Sequence, residues 1–119
     1  MKIVYASRTG HVEILMNKLN INNPTRIMSG DEKVDEDFLL FTYTDGYGDI
    51  PPAEVETFLE HHVSYIKGVI ASGDTGYGEA FAQSGNKISE AYNVPYLYKI
   101  ENEGTEQDII AIQKILTEF

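Results

Sequence analysis

Short apolar runs alternate along this chain with segments whose apolar residues recur every three or four positions. Lys2–Ala6, Asp37–Tyr43 ("DFLLFTY"), Tyr65–Ala71 and Tyr96–Ile100 read as strands, with a shorter one at Thr25–Met28. Between them, Val12, Leu15, Met16 and Leu19 share one face of a helix over His11–Leu19. A second helix starts near Pro52, where proline suits the first turn, and aligns Val55, Phe58, Leu59 and His62. A third covers Phe81–Tyr92, and a fourth begins near Thr105 and carries Ile109, Ile112, Ile115 and Leu116. Asn20, Asn22, Asn23 and Pro24 form a turn cluster. Ser29 to Glu36 is polar and is expected to be a surface loop, where a crossover helix is missing or degraded.

The resulting order is β-α-β-β-α-β-α-β-α. Strands that are apolar on both faces belong in a parallel sheet covered by helices on each side, so the fold class is α/β. The 119 residues fit a single domain spanning 1–119, with no repeat, linker or low-complexity tract.

Composition narrows the chemistry. There is no cysteine, which removes disulfides, thiolate nucleophiles and CxxC redox motifs. Any redox role must then reside on a bound cofactor. Nine Lys and Arg face nineteen Asp and Glu, a formal charge of −10. Such a surface repels nucleic-acid backbones and anionic membranes and favours a partner with a basic patch. No apolar run reaches the ~18 residues of a membrane span. Polar Ser7, Arg8 and Thr9 interrupt any signal-peptide core, so a cytoplasmic location is expected.

In an open parallel sheet, ligands bind beyond the carboxyl ends of the strands. The loops at that edge are the three least ordinary stretches of the chain: Ser7–Gly10, Thr44–Asp49 and Ser72–Gly78. The first leads into a helix whose N-terminus attracts anions. Ser7 and Thr9 add hydroxyls, Arg8 adds a positive charge, and Gly10 permits close approach of a phosphate. The bland alternative is a Ser/Thr helix cap. The loop is neither GxxxxGK[ST] nor GxGxxG. "TDGYGD" and "DTGYGE" then place a tyrosine between two glycines on two separate loops. Such loops admit a flat ligand and offer it an aromatic face, or else are ordinary glycine-rich turns. Asp45, Asp49, Asp74 and Glu79 would make that region negative, disfavouring an anionic reduced ring. A phosphate at one loop and a planar ring between the other two describe flavin mononucleotide (FMN).

The order of elements and "SRTGHV" resemble flavodoxins over the whole chain. "SRTGHVE", "YTDGYGDIPP" and "SGDTGYGEAFAQSG" are closest in character to the NrdI family, small FMN proteins of class Ib ribonucleotide reductase. The resemblance implies a flavodoxin-like five-stranded parallel sheet of order 2-1-3-4-5 and non-covalent FMN. It implies assembly of the dimanganese–tyrosyl radical cofactor in the reductase's small subunit. There the flavin, reduced by an electron-donating reductase, reacts with O₂ to give a superoxide- or peroxide-level oxidant. The radical tyrosine belongs to the partner. Carried over by position, Ser7, Arg8, Thr9, Gly10, His11 and Val12 would surround the phosphate. Thr44, Asp45, Gly46, Tyr47 and Gly48 would line one side of the ring, with Gly46 the first candidate for a redox-linked peptide flip and Gly48 the second. Ser72, Gly73, Asp74, Gly76, Tyr77 and Gly78 would line the other, and Phe81 would close the floor. A monomer is expected.

A flavodoxin acting as a general one-electron carrier is the alternative. A response-regulator receiver lacks its acidic pair, because the first strand ends in Ala6-Ser7-Arg8. A small tyrosine phosphatase lacks its cysteine. His61 and His62 are adjacent, cannot share a metal on a helix, and are assigned surface or helix-end positions. Tyr92, Tyr96 and Tyr98 are assigned to packing and Lys99 to a solvated strand end.

Overall fold

A computed structural model of the chain describes residues 1–8, 10–44, 54–73 and 82–119. The elements run β1 (Lys2–Tyr5), α1 (His11–Lys18), β2 (Thr25–Arg26), β3 (Phe38–Tyr43), α2 (Glu54–Glu60), β4 (Ile66–Gly73), α3 (Gln83–Tyr92), β5 (Tyr96–Glu101) and α4 (Glu106–Leu116). All pairings are parallel, in the order β2-β1-β3-β4-β5. That is the topology the family resemblance implied.

Strand periodicity divides the core in two. On one face Val4, Phe38, Leu40 and Val69 pack with Phe58 and Leu59 of α2 and Ile88 of α3. On the other, Ile3, Tyr5, Leu39, Phe41 and Ile70 pack with Val12, Leu15 and Met16 of α1 and Ile112 of α4. Successive side chains of β3 therefore serve opposite layers, which is why the strand reads as a continuous apolar run. Phe38, Phe41 and Phe58 are fully buried. Each contributes about 1.5–3 kcal/mol relative to exposure. The Phe38 and Phe58 rings meet edge-on at 5.7 Å.

Two sequence expectations change here. The second strand holds only Thr25 and Arg26. Ile27 still donates to Tyr5 O at 2.8 Å, but the Met28 N–H turns to Glu32 Oε2 at 2.9 Å, so the chain leaves the sheet. Glu32 also accepts from the Ser29 and Gly30 amides at 3.1 and 2.9 Å. Burial alone would raise its pKa, but these backbone donors together hold it below the usual value.

His62 is the second correction. It is 5% exposed, whereas His61 is exposed. Its ring stacks on Phe58 at 3.9 Å, its Nε2 accepts the Val34 N–H at 3.0 Å, and its Nδ1 lies 2.7 Å from Phe58 O. Those contacts require the neutral Nδ1–H tautomer. The 29–36 loop is thus pinned through buried Val34 rather than lying free on the surface.

At the far side, α3 lies close against β5. A Cβ on Gly85 would meet the Tyr96 ring at 2.2 Å. The Tyr96 hydroxyl donates to Ala82 O at 2.7 Å, and burial pushes the phenol's pKa up. Tyr92 and Tyr96 pack on one core layer and Tyr98 on the other, as expected. At the head of α4, Thr105 and Asp108 form a reciprocal capping box.

Candidate functional site

β1 ends at Tyr5, and the chain turns through Ser7 and Arg8 into α1. Gly10 is the N-cap, at φ +93°. An L side chain there would be strained, although a Cβ would meet nothing within 4 Å. Gly10 has no side chain to cap the helix. The first-turn N–H groups and the partial positive charge of the helix gather at this end. The Ser7 hydroxyl is engaged as an acceptor. Its Oγ accepts the Glu13 N–H at 3.3 Å, which leaves its own proton to donate. The Val12 side chain is buried in the core, so only its backbone can face an anion. His11 is half-buried at the first position of α1.

Exposed Arg8 lies over the Tyr43 ring, 5.1 Å from its centroid. The Tyr43 hydroxyl donates to Glu54 Oε1 at 2.8 Å. Burial first, then the hydrogen bond to Glu54 and its charge, push the Tyr43 pKa up to about 12. The end of β3 thus gives the Arg8 guanidinium a ring to rest on.

Next along the edge, Thr44 Oγ1 donates to Ser72 O at 2.9 Å and lies 2.8 Å from Ser84 Oγ. Ser84, fully buried on α3, also lies 3.2 Å from Tyr43 O. The Ser72 hydroxyl donates to Asn102 O at 2.5 Å, and Asn102 N–H donates to Gly73 O at 2.9 Å. The hydroxyls of Thr44 and Ser72 hold strand ends together.

Of the residues expected at the site, Ser7, Arg8, Gly10, His11, Val12, Thr44, Ser72 and Gly73 sit at the carboxyl edge of β1, β3 and β4. Thr9, Asp45, Gly46, Tyr47, Gly48, Asp74, Gly76, Tyr77, Gly78 and Phe81, with Asp49 and Glu79, lie outside the described residues.

The family model for NrdI flavodoxin-like proteins matches residues 3–114. This chain belongs to the NrdI flavodoxin-like family. It is 41% identical over 109 residues to a protein named Protein NrdI from Bacillus licheniformis, covering 92% of this chain and 82% of that one. Among solved structures it is similar to a short-chain flavodoxin associated with a bacterial microcompartment. That match has a TM-score of 0.73 and 25% identity, over 98% of this chain and 93% of the other. The NrdI flavodoxin-like family is a flavin-binding one, and the glycine-capped α1 terminus next to Ser7 suits the anionic end of such a ligand.

This NrdI-family chain also carries site residues that motif reading passed over. Tyr43 and Ser84 shape the edge from behind, and Arg26 holds Ser7 from β2. Arg26 was within reach of the predicted strand order, which sets β2 beside β1. Two cavities lie elsewhere. One of about 480 Å³ is lined by Lys2, Asn20, Leu116 and Phe119, and one of about 680 Å³ by Glu32, Val34 and His61. Among the described residues no group of three His, Cys, Asp or Glu could hold a metal, and no helix is long and apolar enough to cross a membrane.

Proposed function

We propose that the chain is a single-domain FMN protein of the class Ib ribonucleotide reductase system. It acts in the cytoplasm as a monomer, without nucleic acid or membrane. It helps to assemble the dimanganese–tyrosyl radical cofactor of the reductase's small subunit. The observation that carries this reading is the 41% identity to Protein NrdI across 92% of the chain. FMN held by the chain would, once reduced by an electron-donating reductase, supply electrons to O₂ and so a superoxide- or peroxide-level oxidant for the partner.

The chain's own residues bind and orient. The α1 terminus receives the phosphate, and the Ser7 hydroxyl donates to one of its oxygens. Arg8, steadied on Tyr43, balances its charge. The Thr44–Ser84–Ser72 contacts keep the β3 and β4 ends in register, so the two glycine-tyrosine loops start from fixed points.

The test begins with the visible spectrum of the purified protein, where oxidised flavin is expected and FMN should be released on denaturation. The reduced protein is then mixed with manganese-loaded small subunit and air. A tyrosyl radical signal by electron paramagnetic resonance, absent when this protein is omitted, is the expected result. A colourless protein that takes up no FMN refutes the reading. The similarity to a short-chain flavodoxin favours the second reading, a one-electron carrier. That protein would bind FMN but leave the small subunit without a radical.

A further inference from the structure

β2 ends in Arg26, whose side chain closes a ring around Ser7. Nη2 donates to Ser7 O at 3.1 Å, and Nη1 meets Glu13 Oε2 at 3.3 Å. The Glu13 N–H returns to Ser7 Oγ at 3.3 Å. Ser7 is thereby held through both its carbonyl and its hydroxyl, by residues from β2 and from α1. The guanidinium also rests 5.9 Å from the Tyr5 ring centroid.

Two features set this arrangement apart from an ordinary surface ion pair. The Arg26 Nε–H is buried and finds no acceptor among the described residues. An orphaned buried donor is a cost, so stability alone does not account for the placement. The second feature is the position of Glu13. A carboxylate in the first turn of α1 competes with any anion for the same helix terminus. Arg26 engages that carboxylate and draws it towards β2. A planar fork reaches a carbonyl and a carboxylate at once in fixed geometry, which a lysine ammonium on a flexible stem reproduces only in part.

We propose that Arg26 is a positioning residue for the anion site. It fixes Ser7 and offsets the charge of Glu13, so the site selects the phosphorylated flavin over the same flavin without its phosphate. The inference rests on the FMN reading above. Because riboflavin lacks the phosphate but carries the same ring, the pair of ligands separates an effect at the anion site from an effect on the whole pocket.

The experiment titrates the flavin-stripped full chain with FMN and with riboflavin, following the quenching of flavin fluorescence. It compares the wild type with Arg26→Gln, Arg26→Lys and the double variant Arg26→Gln/Glu13→Gln. Arg26→Gln should weaken FMN about tenfold, as loss of one charge-assisted contact does, and leave riboflavin within about twofold. Arg26→Lys should fall between, and the double variant should regain part of the FMN affinity because the uncovered carboxylate is gone. Equal losses for both flavins, or an unchanged FMN affinity, overturn the proposal. If Arg26→Gln does not fold, the FMN-to-riboflavin ratio of Arg26→Lys decides in the same way. A wild type that binds neither flavin overturns the FMN reading itself and this inference with it.

Discussion

Replacing Gly85 with alanine sets two physical effects against each other, and the structure says which prevails. Gly85 lies inside α3, where alanine is preferred over glycine by about 1 kcal/mol. On propensity alone the variant gains stability. The new Cβ, however, would sit 2.2 Å from Tyr96 Cζ and 2.5 and 2.6 Å from its two Cε atoms. Carbon contacts settle at about 3.5 Å, so the ring must retreat by roughly 1.3 Å from its 2.2 Å starting distance. Overpacking of this kind costs about 1–3 kcal/mol. A retreat of that size also disrupts the 2.7 Å bond from the Tyr96 hydroxyl to Ala82 O, worth about 1 kcal/mol. The balance is a net loss of about 1–3 kcal/mol, or very roughly 6–12 °C in Tm at the centre of that range. Thermal and urea unfolding followed by circular dichroism measure it. In a Tyr96→Ala background the obstacle is gone, and Gly85→Ala should then stabilise by about 1 kcal/mol. A higher Tm for Gly85→Ala in the wild-type background, or the same effect in both backgrounds, would refute the reasoning.

Three further outcomes are expected. Tyr43 should ionise near pH 12 by ultraviolet absorbance, and Glu54→Gln should lower that value; because the folded pKa is raised, stability falls as pH climbs above about 10, and a phenol indifferent to Glu54 would count against the contact. Asp108→Asn should cost about 1 kcal/mol at pH 7 through the capping box. The Tyr98 hydroxyl, with Thr105, holds the Asp108 carboxyl below its usual pKa, so that contribution exists above about pH 4 and disappears as pH falls through the lower folded value; a gap from wild type equal at pH 7 and pH 3 in urea unfolding would contradict this. His62→Leu should cost about 1–3 kcal/mol by leaving the buried Val34 N–H without an acceptor, and a urea midpoint unchanged from wild type would show that the 29–36 loop does not depend on it.

The layered fold was legible because apolar spacing is dictated by which faces a strand or helix buries. The two helix faces, the capping residue Thr105 and the central strand "DFLLFTY" all declare themselves locally. What escaped depends on contacts between residues far apart in the chain. Two adjacent histidines look alike in sequence, and only the docking of Val34 buries one of them. The second strand stops short because Glu32 captures the Met28 amide, a competition that strand propensity does not register. At the candidate site, the place of Ser7, Arg8 and Gly10 between β1 and α1 was readable from the loop they share. Tyr43 and Ser84 were passed over because their roles are set by neighbours on other elements, Arg8 in one case and Thr44 in the other.

The two-residue β2 has a consequence for how copies of this protein meet. It pairs with β1 only at Val4 and Tyr5, and β5 closes the sheet's other side with an outer edge of its own. Exposed strand edges are templates for self-association, which many proteins blunt with covering elements. A formal charge of −10 adds an electrostatic deterrent, because like-charged molecules repel as they approach. That repulsion comes from the same acidity that would favour a basic partner, and it fades as pH approaches the pI of about 4.5. A surface that keeps its own kind apart while drawing in an oppositely charged protein sorts encounters by sign before any shape is compared.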